Sequence, residues 1–191
     1  MSHPQPLILA SASPRRLALL AQIGITPDQT VSPEIDEAPL RSELPRALAL
    51  RLARVKATAI QAPEAAVLAA DTVVAAGRRI LGKPLTEPEA AACLALLSGR
   101  RHRVYTAVVL IVGTRRTERL VTSIITFARL TEAQQRAYLA TREWHGKAGG
   151  YAIQGLAASF IRFISGSYSN IVGLPLFETA QLLRGAGWTI P

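Results

Sequence analysis

The chain has 191 residues, of which 49% are hydrophobic and 18% charged, and its formal net charge at pH 7 is +9. This length and composition predict one globular domain over residues 1–191 and exclude a disordered chain. The positive charge alone does not indicate a nucleic-acid-binding protein, because the arginines are scattered without a long basic block and aromatic residues make up only 5%. We therefore expect a solvated basic surface with a local anion site and no nucleic-acid partner.

Cellular location is constrained by the apolar segments and by cysteine content. The first six residues lack a basic start followed by an apolar core of secretory length, and the longest strongly apolar stretch, 107–112, is far too short to cross a bilayer. The single cysteine, Cys93, excludes an intramolecular disulfide and fits a reducing compartment. The sequence thus predicts a cytoplasmic protein with no membrane partner.

The segment 7–16 is the most informative part of the chain. An apolar strand leads into Ser11 and Ser13, and then into a helix predicted over 15–23, with Ser13 as N-cap, Pro14 at the first helical position and Gly24 after its end. Arg15 and Arg16 would lie at the positive end of this helix, which favours a polyphosphate site. The alternative is a solvated helix start that carries two arginines by chance.

The remaining pattern alternates helices and strands and then contains a hairpin, which predicts a mixed sheet. Apolar periodicity and capping boxes predict helices over 44–61, from Thr86 to Gly99, from Thr131 to about Arg142, and over 175–184. The β-rich runs predict strands over 67–74, 102–112, 118–127 and 157–164, with the second and third joined by a turn at 113–116.

Asp71 interrupts an otherwise apolar strand, where aspartate is unfavourable. Its carboxylate must lie at a strand end in a cleft, serve as a cap or turn residue, or be buried at considerable cost. Glu37 is a second acidic candidate, although an acidic loop is usually just solvated. The chain has only three lysines, Lys56, Lys83 and Lys147, and a compact ammonium suits a point contact with phosphate.

Several types of catalytic site are excluded. The sequence contains no His/Cys ligand cluster, Walker A loop or dinucleotide fingerprint, and its three histidines are scattered. Carboxylates combined with arginine and lysine remain, and these are the groups used for metal-assisted attack of water on a phosphoanhydride.

With these residues in order, the chain resembles the Maf family of nucleoside triphosphate pyrophosphatases, which are related in fold to the inosine triphosphatases. The resemblance extends from Leu7 to about Leu183. The motifs that carry it are Ser11-Ala-Ser-Pro-Arg-Arg16, Ile35-Asp-Glu37, Arg54-Val-Lys-Ala57, Ala70-Asp-Thr72, Gly82-Lys-Pro84, Ser98-Gly-Arg-Arg-His102 with Thr106, Lys147-Ala-Gly-Gly-Tyr-Ala-Ile-Gln-Gly155 and Gly166-Ser-Tyr-Ser-Asn-Ile-Val-Gly-Leu-Pro175.

The resemblance implies an α/β fold in which an elongated mixed sheet is flanked by helices and two lobes enclose a central cleft. It implies hydrolysis of a nucleoside triphosphate to the monophosphate and pyrophosphate with a divalent cation such as Mg²⁺, Mn²⁺ or Co²⁺. The implied roles are proton acceptor for Asp71, triphosphate binding for Arg16, Lys56 and Lys83, and a metal near Glu37 and Asp71. Ser11 is expected to contact phosphate.

Three further positions bear on the nucleobase. Arg15, Thr72 and Gln154 resemble the family members that take dTTP and UTP, whereas members acting on 7-methylguanosine triphosphate have Trp, Gln and Glu there. A glutamine amide can accept from N3–H and donate to O4 of thymine or uracil. The alternative for Gln154 is a strand-end residue that satisfies the backbone.

The family name derives from effects on septum formation, so a regulatory or binding role in cell division is the alternative function. The preserved set of Asp71, Lys56, Lys83 and Arg16 is what a hydrolase needs and an adaptor does not. A homodimer is compatible with the resemblance, and house-cleaning of modified pyrimidine nucleotides is the expected biological role.

Overall fold

The structure is a computed structural model that describes residues 4–190. Seven strands form one mixed sheet. Their bounds are β1 (Leu7–Ala10), β2 (Gln29–Thr30), β3 (Ala66–Ala76), β4 (Arg79–Leu81), β5 (Arg101–Val112), β6 (Arg115–Phe127) and β7 (Ile161–Ser165). The order across the sheet is β2-β1-β3-β5-β6-β7, and β4 pairs with β3. Strand β1 runs parallel to β2 and β3, whereas the other pairs are antiparallel.

Helices flank this sheet. They are α1 (Pro14–Gln22), α2 (Pro45–Thr58), α3 (Glu87–Leu97), α4 (Glu132–Ala140), α5 (Tyr168–Val172) and α6 (Leu176–Arg184), with short 3₁₀ segments at Ala148–Gly150 and Leu156–Phe160. The predicted class, a mixed sheet flanked by helices, is therefore confirmed. Over residues 4–190 no helix is both long and apolar enough to span a bilayer.

Two hydrophobic cores lie on opposite faces of the sheet, because successive side chains of a strand point to opposite sides. On β3, Leu68 and Val74 belong to the larger core, which receives α1, α3, α4 and α6. Val67 and Val73 belong to the smaller core, which is built mainly against the apolar face of α2. Asp71 lies an even number of residues from Val67 and Val73, so its side chain points to the same face of the sheet as theirs, the face that α2 covers.

Strand β3 has a gap along one edge that positions the site. On that edge β1 pairs with β3 only as far as Ala10 opposite Ala69, and β4 begins pairing only at Leu81 opposite Val74. On the other edge β5 pairs without interruption. Among the described residues, 70–73 thus have a strand partner on one side only. Asp71 lies inside the strand and not at its end, yet it borders open space.

The long hairpin and most helices agree with the sequence predictions, and the second capping box is complete, with Thr131 and Gln134 bonded reciprocally. The first is only half formed, because the Glu89 carboxylate accepts from Leu85 N instead of the N-cap N–H. Ser13 occupies the N-cap position of α1 but makes no side-chain capping bond, so its predicted capping role is wrong.

The strand predicted over 157–164 is also wrong in its first half. Residues Leu156–Phe160 form a 3₁₀ segment, and β7 begins only at Ile161, where it pairs with Phe127 of β6. Apolar residues in a tight helical turn and in a strand give the same short pattern, so the availability of β6 as a partner decides between them.

Candidate active site

A cavity of about 700 Å³ opens at the gap in β3. Every residue that the sequence predicted for the site lines it. These residues are Ser11, Arg15, Arg16, Glu37, Lys56, Asp71, Thr72, Lys83 and Gln154. Because β3 is open on one edge, Asp71 and Thr72 both reach the cavity although they point to opposite faces of the strand.

Lys56 and two carboxylates converge beneath the cavity. Lys56 Nζ lies 2.6 Å from Asp71 Oδ1 and 2.5 Å from Glu37 Oε1. Lys56 is near the end of α2, and packing of that helix on the smaller core brings its side chain over the Asp71 face of β3. Asp71 Oδ2 accepts no hydrogen bond from residues 4–190. One oxygen of this buried carboxylate is thus bound by an ammonium while the other is left to the cavity.

Glu37 links two lysines from different parts of the chain. It lies in the loop between β2 and α2, with Oε1 on Lys56 and Oε2 3.2 Å from Lys83 Nζ. Partial burial raises the pKa of the Glu37 carboxyl, but the hydrogen bonds and charges of Lys56 and Lys83 outweigh it and the net pKa lies below the usual value. Glu37 is therefore ionised at neutral pH.

Arg16 is fixed by three partners. Its Nε donates to Gly173 O at 2.8 Å, Nη1 to Ser11 Oγ at 2.9 Å and Nη2 to Thr72 Oγ1 at 3.3 Å. Desolvation lowers the pKa of the Arg16 guanidinium. The positive charge of Arg15 lowers this pKa further, whereas the negative charges of Asp71 and Glu37 raise it. A guanidinium remains charged under any such shift, so the cavity contains a rigidly held cation.

Ser11 and Thr72 belong to the same polar network. Ser11 Oγ also accepts from Ser13 N at 3.2 Å, so its own hydroxyl proton is left to donate elsewhere. Thr72 Oγ1 lies 3.0 Å from Thr106 Oγ1, which in turn donates to Asn170 O. This chain of bonds ties the floor of the cavity to α5.

Arg15 and Gln154 line the same cavity, and both are more exposed than Lys56 and Asp71. Gln154 is exposed and lies in a turn, so the strand-end alternative for this residue is wrong. Arg15 is half-buried, its Nε is buried without a partner among residues 4–190, and burial lowers the pKa of the side chain. Both residues thus contribute to the lining of the cavity.

Sequence reasoning left several lining residues without a role. Lys147 lines the cavity like the other two lysines, and burial lowers its pKa. The scarcity of lysine in this arginine-rich chain was the sequence signal that pointed to it. Glu143 and the Gly173 carbonyl also belong to the site. Gly173 lies in one of the motifs that carry the family resemblance, but that motif does not single out its backbone oxygen. Glu143 is a carboxylate on a polar turn, which has no pattern of its own.

The residues present fit a divalent cation bound together with a substrate. No group of three or more His, Cys, Asp or Glu side chains within residues 4–190 could hold a metal ion by itself. Mg²⁺, however, is typically held by one or two carboxylates plus phosphate oxygens and water. Glu37 and Asp71 supply two carboxylates that already converge on one cation, the Lys56 ammonium.

A family model described as Maf-like protein matches residues 6–186. The chain belongs to the Maf-like protein family. A relative from Granulibacter bethesdensis is 62% identical over 96% of this chain and 94% of its own length, and one from Gluconobacter oxydans is 63% identical over 94% and 86%. Both relatives are named dTTP/UTP pyrophosphatase. A HAM1 protein from Coxiella burnetii shares the fold, with a TM-score of 0.50 at 15% identity over 95% of this chain and 99% of its own.

Proposed function

We propose that this Maf-like protein hydrolyses dTTP and UTP, and modified pyrimidine triphosphates, to the monophosphate and pyrophosphate. The observation that carries the proposal is a buried carboxylate, Asp71, with one oxygen on Lys56 and the other left to a cavity that Arg16 and Lys83 also line. The names of relatives at 62% and 63% identity point to the same substrates.

The cations account for binding of the triphosphate and stabilisation of the leaving group. Arg16 is held in place by neutral partners, so its charge is available to phosphate oxygens. Lys83 is half-exposed, and Glu37 is the only residue within 4–190 with which it forms an ion pair, so its ammonium can turn toward a ligand. The hydroxyl proton of Ser11 is available for a further phosphate contact. Together these groups would offset the charge that grows on the departing pyrophosphate.

Asp71 is the proposed proton acceptor for water that attacks the α-phosphorus. Its unbonded Oδ2 is the atom that would receive the proton, while Lys56 holds Oδ1 and so fixes the carboxylate plane. Glu37 and Asp71 would hold a divalent cation jointly with the triphosphate. When bound, such a cation supplies Lewis-acid polarisation of the phosphoryl oxygens.

Base selection is assigned to Arg15, Thr72 and Gln154. The Gln154 amide can accept from N3–H and donate to O4, a pair of groups that thymine and uracil share. The Thr72 hydroxyl contacts both Arg16 and Thr106, so it joins the phosphate-binding side of the cavity to its floor.

The proposal also includes that the protein is a single domain and that it acts on nucleotides in the cytoplasm. The single cysteine, Cys93, is unpaired and partly buried, and desolvation raises the pKa of its thiol, which fits an unreactive residue in a reducing compartment.

Product analysis tests the proposal. Purified protein with Mg²⁺ should convert dTTP and UTP to dTMP and UMP with equimolar pyrophosphate, and EDTA should stop the reaction. Water labelled with ¹⁸O should place its oxygen in the monophosphate, because attack is at the α-phosphorus. Orthophosphate together with a nucleoside diphosphate, or no turnover of either pyrimidine triphosphate, would refute the proposed reaction.

A further inference from the structure

A carboxylate, Glu143, lies in the same cavity as the cations of the site. A negative charge there opposes the binding of a polyphosphate, so its presence needs another explanation. Glu143 follows α4 in a run of turns, and its own N–H donates to Thr141 Oγ1 at 3.2 Å. The segment that carries Glu143 is thereby anchored to the end of α4.

The Glu143 carboxylate reaches across to the turn that presents Gln154. Its Oε2 accepts from Leu156 N at 2.9 Å. Leu156 is the first residue of the 3₁₀ segment, where backbone N–H groups lack partners within the helix. A side chain from a different part of the chain thus caps this segment and holds the residue two positions after Gln154.

Gly155 makes room for this contact. A Cβ built at Gly155 would lie 2.0 Å from Glu143 Oε2 and 2.5 Å from its carboxyl carbon. The φ of Gly155 is −116°, which any L-residue can adopt, so the backbone does not require glycine here. Because these atoms are the end of a flexible side chain, a side chain at position 155 would displace the Glu143 carboxylate from this contact.

Glu143 also acts on the neighbouring cations. Burial lowers the pKa of Lys147 and the charge of Arg15 lowers it further, whereas Glu143 opposes both effects. The carboxylate therefore offsets repulsion between two cations that line the cavity, one of which, Arg15, is among the proposed base-selecting residues.

We propose that Glu143 is a positioning residue for nucleobase selection, which holds the turn 153–155 so that the Gln154 amide faces the base. This inference rests on the proposed function, because it assigns Glu143 to the base end of that site. It predicts that loss of the contact weakens recognition of the base and spares recognition of the phosphates.

The test compares binding of a non-hydrolysable dTTP analogue with binding of inorganic tripolyphosphate, which has no base, by calorimetry. Glu143→Ala should raise the Kd of the dTTP analogue about tenfold and change that of tripolyphosphate less than twofold. Glu143→Gln keeps an acceptor oxygen and should restore most of the affinity. Glu132→Ala removes an equivalent charge from an exposed position of α4 outside the cavity and should change neither Kd.

Gly155→Ala gives an independent arm. Alone it should displace the Glu143 carboxylate and raise the Kd of the dTTP analogue as Glu143→Ala does. In the Glu143→Ala background it should raise this Kd by less than a further twofold, because the carboxylate atoms that the new methyl group would meet are absent. Thermal unfolding verifies that each variant is folded, and Gly155→Ala in the wild-type background supplies the decisive comparison of the two ligands if Glu143→Ala is not folded.

Equal weakening of both ligands, an additive double variant, or unchanged binding in every variant would overturn the inference. Failure of the proposed function would be seen in the product analysis instead, where the wild-type protein would release no pyrophosphate from dTTP or UTP. The binding cycle would still decide the role of Glu143 in that case.

Discussion

Lys56 and Asp71 form a buried ion pair, with Nζ 2.6 Å from Oδ1 and side chains only 10% and 9% exposed. The two residues come from a helix and a strand that pack together on one face of the sheet. Removal of two charges from water is costly, and a pair that is retained at the edge of a cavity indicates a use beyond stability. The pair is the centre of the proposed chemistry, and the first two predictions concern it.

Asp71→Asn should lower turnover of dTTP by roughly two to four orders of magnitude, because the amide keeps the shape of the side chain but cannot accept the proton. The KM should change much less than kcat, since Arg16 and Lys83 are untouched. Steady-state kinetics measures kcat and KM of the variant, and its thermal unfolding temperature serves as the control for folding. Unchanged turnover in a folded variant would contradict the assignment of Asp71 as base.

Lys56→Met should lower the free energy of unfolding by about 3 kcal/mol, because the buried Asp71 carboxylate loses its partner. Combination with Asp71→Asn should recover part of that loss, since the uncompensated charge is then absent. Urea denaturation of both single variants and the double variant gives the coupling between the residues. A loss below about 1 kcal/mol for Lys56→Met would mean that water reaches the carboxylate well enough to replace the lysine.

His102 should make folding stability depend on pH. Its ring is buried, with Nε2 2.8 Å from the Tyr151 hydroxyl and Nδ1 without a partner among residues 4–190, and burial lowers its pKa from 6.5 to about 4. Between these values the unfolded chain binds a proton that the folded protein does not, so stability is present above pH 6.5 and is lost as pH falls toward 4. The expected loss between pH 7 and pH 5 is about 2 kcal/mol.

Urea denaturation at several pH values measures this effect, and His102→Gln is the control because it cannot titrate. The wild-type slope between pH 7 and pH 5 should exceed that of the variant. Equal slopes would show that other groups are responsible for the pH dependence.

Gln154→Glu should reduce kcat/KM for dTTP and UTP roughly 5- to 30-fold, since O4 loses its donor and two oxygens are brought together. The lower part of the range is favoured by the exposure of Gln154, because a wet environment softens the loss of a polar pair. Activity should not collapse, since the catalytic residues are unchanged. Specificity constants for dTTP, UTP, CTP and 7-methylguanosine triphosphate measure the effect, and unchanged ratios would place base selection elsewhere.

Local sequence signals predicted the elements that depend on local interactions. The capping box at Thr131, the left-handed glycines after α1 and α3 and the β5–β6 hairpin are all formed by residues close together in the chain. Strands β2 and β4 and the start of β7 escaped prediction. The strands β2, β4 and β7 are only two, three and five residues long, respectively. Such short segments become strands because a neighbouring strand is available to pair with them.

The sequence by itself determined the chemistry of the site: an unfavourable aspartate in an apolar strand, three scarce lysines and paired arginines at a helix start. Only the tertiary structure decided how Asp71 can lie within a strand and still line the cavity. Strand β1 ends opposite Ala69 and β4 begins opposite Val74, which leaves one edge of β3 open at Asp71. That opening depends on where two other strands stop and start, a long-range relation that no local pattern around Asp71 contains.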